Sequence, residues 1–245
     1  MTHTIIVAQK VVHQLRRDKR FLALSIVAPL IIIFFLKLFF DTMADGFPVE
    51  RYVVPIAGFL VYFFAFLLCA MVLVQERSQG TLERMFVSGF HKRSIISGYV
   101  IGYLGLATLQ AAVALGEALL LFHLDYSAQT ILSLFLPIWL LAIDSVMLGI
   151  LVSTFARSEA QVFPFIPLFI LPSIFLSGLL IDNDRLPVWA DWLGHIFPVY
   201  YAFDIIKGIV LRGEMFVDHW SNIAILVGYA LVLLFLASAT LKDVE

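Results

Sequence analysis

Residues 75–93 read QERSQGTLERMFVSGFHKR, a charged stretch between two long apolar runs. Four of its side chains are basic, two are acidic, and it contains two glycines. Each flanking run is long enough to cross a bilayer as a helix. The pattern therefore predicts a connection between two membrane spans, both of which end on the same side of the membrane.

A two-turn helix is predicted in the middle of this stretch. Thr81 is the expected N-cap, and Glu83 lies in the first turn, where the helix dipole favours an acidic side chain. Gly89 can end the helix in a left-handed conformation. The helix is thus bounded on both sides by local sequence signals.

The apolar side chains of this helix are predicted to share one face. Leu82, Met85 and Phe86 lie at positions i, i+3 and i+4. Their face is too small to span a bilayer and too apolar to prefer water. It therefore needs a partner, which is either the bilayer surface or a groove in another protein.

The composition of the chain is that of an integral membrane protein. Of 245 residues, 62% are hydrophobic and 14% are charged, whereas a soluble domain has about 25% charged residues. The polar segments are too short to bury a core of their own. We therefore expect one membrane domain that covers residues 1–245.

Six apolar runs are long enough to cross the hydrocarbon layer, which takes about 20 helical residues. Backbone polar groups in lipid must be satisfied within their own segment, which favours helices. The fold class expected is all-α, with six transmembrane helices. The runs are residues 21–40, 52–74, 95–122, 130–155, 162–181 and 222–239.

The basic residues predict the orientation of these spans, because Lys and Arg are enriched in cytoplasmic loops. With both termini in the cytoplasm of a multi-pass cell-membrane protein, eleven of the sixteen basic residues lie inside. They are Lys10, Arg16, Arg17, Lys19, Arg20, Arg77, Arg84, Lys92, Arg93, Arg157 and Lys242.

Residues 1–20 are predicted to form an amphipathic helix in the inner membrane interface. No small-residue cleavage site follows, so we interpret the next apolar run as an uncleaved anchor. The alternative is a basic flank without a helix of its own. The predicted apolar stripe consists of Ile5, Ala8, Val12 and Leu15.

Signals for catalysis or for a bound cofactor are missing from the sequence. The single cysteine, Cys69, cannot form an internal disulfide, and the six histidines never occur at i, i+4 metal spacing. No G-x-x-x-x-G-K-[ST] loop is present, so the chain cannot hold a nucleoside triphosphate in the usual way. We expect no catalytic residue, no metal, no cofactor and no nucleic-acid partner.

The motif Glu76-Arg77-x-x-Gly80-Thr81-Leu82-Glu83-Arg84 resembles the signature of the permease subunits of type-2 ABC transporters. Other landmarks extend the resemblance over almost the whole chain. They are the basic N-terminal helix, the six spans, Ser177-Gly178, Pro198-Val-Tyr-Tyr-Ala-Phe-Asp204 and Leu211-Arg212-Gly213. Two features depart from the family pattern: Ser88-Gly89 replaces the common Ser-Pro or Thr-Pro, and the spans contain Glu117 and Asp144.

The resemblance implies that the charged stretch is a coupling helix, which docks on a separate ATPase subunit that holds ATP and magnesium. It implies a second permease copy, or a paralogue, in contact with membrane lipids. The residues it assigns to coupling are Glu76, Arg77, Gly80, Thr81, Leu82, Glu83, Arg84, Met85 and Phe86. Under this hypothesis Leu82→Asp or Phe86→Asp uncouples ATP hydrolysis from transport.

The segment from Asp182 to Ser221 is too long for a turn and too apolar for a free loop. The resemblance implies a pair of short helices that re-enter the outer leaflet and close the outer end of a pathway. The residues predicted for this hairpin are Pro198, Tyr200, Tyr201 and Asp204.

Three charged residues lie inside the predicted spans: Lys37, Glu117 and Asp144. The two carboxylates are functional hypotheses by default, because a buried carboxylate is costly, and the Lys37 side chain can extend to the outer interface. Glu117 lies at a depth similar to that of Lys37, so a structural ion pair is one interpretation. Asp144, near mid-membrane, either hydrogen-bonds a neighbouring helix as a protonated acid or forms a cation or proton site.

Pro164, Pro167 and Pro172 interrupt the fifth span and predict a kink. This kinked span is either a bent packing helix or, with the Phe-rich second span, one wall of a central path. Aromatic walls suit an amphipathic or apolar substrate. The residues proposed for the path are Phe59, Phe63, Phe66, Pro167, Pro172, Ser173 and Ser177.

The function predicted from the resemblance is the permease of an ATP-driven exporter of drugs or antibiotics. A lipid, glycolipid or polysaccharide-precursor exporter is the alternative. A secondary transporter that uses Asp144 or Glu117 as an ion site is more remote. An intramembrane enzyme is disfavoured, because the sequence offers no histidine pair at metal spacing and no carboxylate pair at one depth.

Overall fold

Ten α-helices make up most of the chain in the computed structural model, which describes residues 2–43, 46–181 and 185–240, apart from the side chains of Thr2 and Arg20. Asp182 and Lys242 lie outside the described residues. The helices are α1 (Thr2–Arg17), α2 (Lys19–Phe40), α3 (Glu50–Ser78), α4 (Thr81–Val87), α5 (Lys92–Leu121), α6 (Ala128–Ser153), α7 (Leu171–Leu176), α8 (Val188–Gly194), α9 (Pro198–Arg212) and α10 (Trp220–Thr240).

Six helical segments are long and apolar enough to cross a membrane, which confirms the six predicted spans. They are Phe21–Phe40, Glu50–Ser78, Lys92–Leu121, Ala128–Ser153, Glu159–Leu176 and Phe216–Thr240. Capping side chains explain where two of the helices begin. Asp18 accepts a hydrogen bond from the Phe21 amide at 2.9 Å, and Ser127 accepts one from the Thr130 amide at 3.2 Å.

The fifth span is broken, as its prolines predict. A 3-10 turn (Glu159–Val162) and a π-helical turn (Ile166–Ile170) precede α7. Pro167 and Pro172 have no amide hydrogen to donate to the preceding turn, so a regular α-helix loses hydrogen bonds there. The helical part ends earlier than residue 181, at a turn in which Gly178 has a φ of +76°.

The core lies between α3 and α6. A Cβ atom on Gly149 would lie 2.9 Å from the Phe66 carbonyl oxygen, so the two backbones touch at this glycine. The Ser145 hydroxyl donates to the Tyr62 carbonyl oxygen. Small residues permit such close approach of membrane helices. Close packing matters here because lipid, unlike water, does not drive apolar helices together. This pair forms the frame on which the other helices pack.

Helix α1 packs along the first half of α5 at two glycines. A Cβ atom on Gly98 would lie 2.9 Å from the Thr4 carbonyl oxygen, and one on Gly102 would lie 2.6 Å from the Val11 Cβ. Only a residue without a side chain permits this approach.

The face of α1 that packs on α5 differs from the predicted stripe. Val7 and Val11 are buried at the glycines of α5, and Ala8 and Leu15 of the predicted stripe are buried as well, whereas Ile5 and Val12 are exposed. Two of the four residues predicted to face the membrane interface are therefore covered by the chain itself. Ile5 and Val12 remain available for contact with a bilayer.

Two shorter helices, α8 and α9, meet at an angle of 94°. Proline at the first position of α9 sets the break, since it cannot continue the preceding helix. Ile205, Ile206 and Ile209 are buried on the face that packs toward the core. The geometry is that of a broken span or of a re-entrant pair.

The α1–α5 contact predicts that Gly98→Val destabilises the protein. The new side chain overlaps the α1 backbone, and overpacking of this kind costs about 1–3 kcal/mol of unfolding free energy. Gly105→Val on the same helix is the matched control, because its Cβ has no neighbour within 4 Å. Unfolding of the purified protein in mixed detergent micelles measures both, and equal destabilisation contradicts the packing described.

Candidate functional site

Helix α4 lies between two glycine turns at one end of the molecule. Gly80 precedes it with a φ of +69°, and Gly89 follows it with a φ of +81°. The N-cap is thus Gly80, whereas the sequence predicted Thr81. At the other end, the Phe90 amide donates to the Met85 carbonyl oxygen at 3.1 Å and the Gly89 amide to the Phe86 carbonyl oxygen at 2.9 Å. These two bonds form a Schellman motif, which confirms the helix end at Gly89.

The predicted apolar face of α4 packs largely against its own chain. Leu82 is buried, and Met85 and Phe86 are half-buried against the core. Leu82 is therefore not accessible to another protein in this structure, and its role in coupling stays a prediction. Because the core of the chain covers this small apolar face, the face does not need a second protein to shield it from water.

The exposed face of α4 consists of Glu83, Arg84 and Val87, which we call the α4 surface. Val87 is 87% exposed, an unusual position for an aliphatic side chain on an otherwise charged face. A helical-wheel projection of the sequence would have placed Val87 on the exposed face, because Val87 lies four residues after Glu83 and residues four apart share one face of a helix. This surface, rather than the Leu82 face, can contact another protein.

Glu76, at the end of α3, is 3% exposed and is held inside the chain. Its Oε2 atom lies 2.6 Å from the Lys10 Nζ of α1 and accepts a hydrogen bond from the Tyr99 hydroxyl of α5. A buried carboxylate requires such partners, because its desolvation is costly. Glu76 therefore joins three helices and presents nothing to a partner protein. Nothing in the sequence pattern pointed to Lys10 or Tyr99.

Arg77, the next residue, caps the end of α6. Its Nη1 atom donates to the carbonyl oxygens of Ser153 at 3.1 Å and Thr154 at 3.0 Å. The last carbonyl groups of a helix have no partner within the helix, and a cation there also interacts favourably with the helix dipole. The Glu76-Arg77 pair thus fixes the end of α3 to α1, α5 and α6.

The intramembrane charges do not pair as predicted. Lys37 bonds to Asp41 on its own helix instead of Glu117. The two residues are one helical turn apart, so this bond forms without any tertiary packing. The Oε2 atom of Glu117 is buried without a partner among the described residues.

Asp144 is buried in α6, and neither of its carboxylate oxygens has a hydrogen-bond partner in the described part of the chain. The predicted hydrogen bond to a neighbouring helix is therefore absent there. Ser145 donates to Tyr62 instead, and the Tyr62 hydroxyl is itself buried without a partner in the same described ranges.

The residues predicted for a central path divide into two groups. Phe66, Ser173 and Ser177 are buried, and the two serine hydroxyls donate to carbonyl oxygens of their own helical segment. These three do not line an open path within one chain. The others are partly or fully accessible at the surface of the chain: Phe59, Phe63, Pro167 and Pro172.

At the opposite end of the molecule, the residues predicted for the hairpin make structural contacts. Tyr201 donates to the His195 carbonyl oxygen at 2.9 Å, and Asn222 donates to Asp204 at 2.7 Å. Tyr200 packs on the His195 ring with centroids 4.2 Å apart. Pro198 is buried at the start of α9. These contacts hold α9 against α8 and α10.

Glu214, in the connection after α9, accepts a hydrogen bond from the Arg212 Nε at 2.8 Å. This bond lowers the pKa of the Glu214 carboxyl from its ordinary value. Its second oxygen lies 3.0 Å from the His219 Nε2. The three side chains tie the end of α9 to the start of the last span.

In a comparison with known protein families, the family described as ABC-2 type transporter matches residues 2–211 of this chain. ABC transporter G family member 20 of Dictyostelium discoideum is 27% identical over 172 residues, which is 69% of this chain and 23% of the relative. The probable multidrug ABC transporter permease YbhR of Escherichia coli is 27% identical over 154 residues, 63% of this chain and 42% of the relative.

The linearmycin resistance permease protein LnrN of Bacillus subtilis is 21% identical over 178 residues, 72% of this chain and 46% of the relative. In all three cases the match spans less than half the length of the relative.

The Glu76 contacts predict a measurable coupling between α1 and α3. Lys10→Met removes the positive charge beside the buried carboxylate and is expected to destabilise the protein by about 1–3 kcal/mol. The loss is smaller than for a fully buried ion pair, because Lys10 is partly exposed. Adding Glu76→Gln recovers part of this loss. A double-mutant cycle on unfolding free energies measures the interaction, expected to exceed about 0.5 kcal/mol.

Arg16→Met is the control for this cycle, since Arg16 is an exposed basic residue of the same helix. It is expected to change stability by no more than about 0.5 kcal/mol. Additive effects of Lys10→Met and Glu76→Gln contradict the ion pair.

Proposed function

Because the chain belongs to the ABC-2 type transporter family, we propose that it is the membrane-spanning permease of an ATP-driven exporter. Its α4 surface docks on a separate ATPase subunit. The observation that carries this proposal is the exposed face of Glu83, Arg84 and Val87 on α4, a short helix that follows α3 in the chain and packs on it.

The contacts around α4 support a mechanical role for it. Glu76 joins the end of α3 to α1 and α5, and Arg77 joins it to α6. A displacement of α4 by a partner therefore moves the ends of four helices together. The membrane domain has two conformations in this proposal. The ATPase drives transport because its ATP-bound state favours one of them and its ATP-free state favours the other.

The nucleotide belongs to the partner in this proposal. This sequence lacks a phosphate-binding G-x-x-x-x-G-K-[ST] loop. ATP and magnesium are held by the ATPase subunit, and the permease performs no catalysis itself. The α4 end faces the cytoplasm, which agrees with the basic residues Arg84, Lys92, Arg93 and Arg157 near that end.

The transport path forms between two permease chains, either two copies of this one or this chain and a paralogue. Phe59 and Phe63 share one face of α3 and are accessible from outside the single chain. Pro167, in the broken fifth span, is exposed as well. The helices α8 and α9 form the re-entrant pair at the outer end of this path.

The substrate proposed is an amphipathic or apolar drug or antibiotic, moved out of the cytoplasm or the inner leaflet. Aromatic side chains at the accessible face of α3 suit such a molecule. The names of two relatives, a multidrug permease and a linearmycin resistance permease, also favour it. A lipid-like or polysaccharide-precursor substrate is the alternative.

Docking through the α4 surface predicts that Arg84→Glu and Val87→Asp each reduce ATP-driven export. Loss of one central interface side chain lowers affinity roughly tenfold. The measurement is export into inside-out vesicles together with co-purification of the ATPase. Leu82→Asp is instead expected to prevent folding, because Leu82 is buried.

Val217→Asp is the matched control, an exposed valine at the opposite end of the molecule. It is expected to leave export and co-purification unchanged. Normal export by both α4 variants, or an equal loss in the control, rejects the docking surface.

A second candidate function is ion-coupled transport, favoured by the buried Asp144 carboxylate, which has no hydrogen-bond partner among the described residues. Under the ATP-driven proposal, Asp144→Asn keeps most of the export activity, because the amide has nearly the same size and removes a buried charge. Export by the variant is measured with ATP and, separately, with an imposed proton or sodium gradient. Gradient-driven transport without ATP that is lost in Asp144→Asn favours the second function.

A further inference from the structure

A cavity of about 1090 Å³ opens at the α4 end of the molecule, between the start of α5 and the last turns of α10. Its rim is polar and basic and includes Lys92, Arg93 and Ser238. Its deeper wall is apolar and includes Leu231, Leu234 and Phe235. The cavity thus combines a cationic end with an apolar groove.

The apolar wall is directed away from the protein core. Leu231 is 61% exposed and Phe235 is 72% exposed. Leu231 lies seven positions before Ser238 on α10, so the wall extends about 10 Å along the helix from the polar rim. Because α10 is one of the membrane-spanning helices, this is the depth at which a head-group region gives way to acyl chains.

The charge at the rim favours an anion. Lys92 and Arg93 are adjacent in the first turn of α5, where the backbone N–H groups add positive partial charge. His91, at the N-cap position, provides no side-chain cap for these groups. Basic pockets between transmembrane helices at a membrane surface bind acidic lipid head groups.

We propose that this cavity binds an anionic phospholipid from the surrounding bilayer. The phosphate lies against Lys92 and Arg93, and one acyl chain lies along Leu231, Leu234 and Phe235. The charge complementarity at the rim and the apolar groove beneath it together match such a lipid. Binding at this cavity does not depend on the transport activity proposed above.

Binding of phosphatidylglycerol and phosphatidylcholine to the delipidated protein, measured by native mass spectrometry, tests the site. One phosphatidylglycerol molecule is expected to bind in preference to phosphatidylcholine.

Each basic side chain contributes about fivefold to the affinity for an anionic lipid. The double variant Lys92→Gln/Arg93→Gln should therefore bind phosphatidylglycerol roughly 30-fold more weakly. Arg157→Gln, an exposed arginine near the same end and outside the cavity lining, should bind it normally.

A second pair of variants tests the groove without changing charge. Leu231→Trp fills the apolar wall and should weaken phosphatidylglycerol binding, whereas Val232→Trp, also exposed on α10 and outside the cavity lining, should not. Both sites are exposed, so folding is not at risk. Equal binding of the two lipids, or full binding by the double variant and by Leu231→Trp, overturns the proposal. Displacement of the lipid by soluble glycerol phosphate overturns it too, since it indicates a free-phosphate site.

Discussion

The buried carboxylate of Glu76 is the interaction on which the α4 end of the molecule depends. A carboxylate with 3% exposure is tolerated only when paired. Its partners Lys10 and Tyr99 come from helices that are distant in sequence, so α1, α3 and α5 must meet for the charge to be satisfied. The next residue, Arg77, extends the same junction to α6. The result is a joint of four helices directly before α4. In the proposed exporter, this joint lets a small helix act on most of the membrane domain.

Close packing makes this joint possible. In a bilayer, apolar side chains gain little by leaving lipid for another helix, so the helices associate where small residues let their backbones touch. Gly98 and Gly102 bring α1 against α5, and Gly149 brings α6 against α3. The helices α2 and α10 keep many large apolar side chains exposed. Helix α10 also carries the apolar wall of the cavity beside α5.

The fifth span contrasts with this rigid joint. Its 3-10 and π-helical turns replace regular helical hydrogen bonding over residues 159–170, which contain Pro164 and Pro167, and Pro172 lies in the first turn of α7. Irregular helical turns are common at functional sites and hinges in membrane and soluble proteins. In the proposed exporter, the α4 end transmits motion as a unit, and the broken span adjusts its shape along the path. The accessible faces of Phe59 and Phe63 leave room for a second chain to complete that path.

The sequence by itself determined the number and position of the spans, the break in the fifth span and the end of α4 at Gly89. Each of these follows from composition over about 20 residues or from the backbone limits of proline and glycine. It did not determine which side chains meet. Glu76 is structural, Leu82 is buried, and Lys37 bonds to Asp41 rather than Glu117. Helix α1 packs on α5 through Val7 and Val11, and Ala8 and Leu15 of the predicted interfacial stripe are buried as well. Only the tertiary structure decided these points, because the rotation and depth of one helix against another depend on close contacts between residues far apart in the chain.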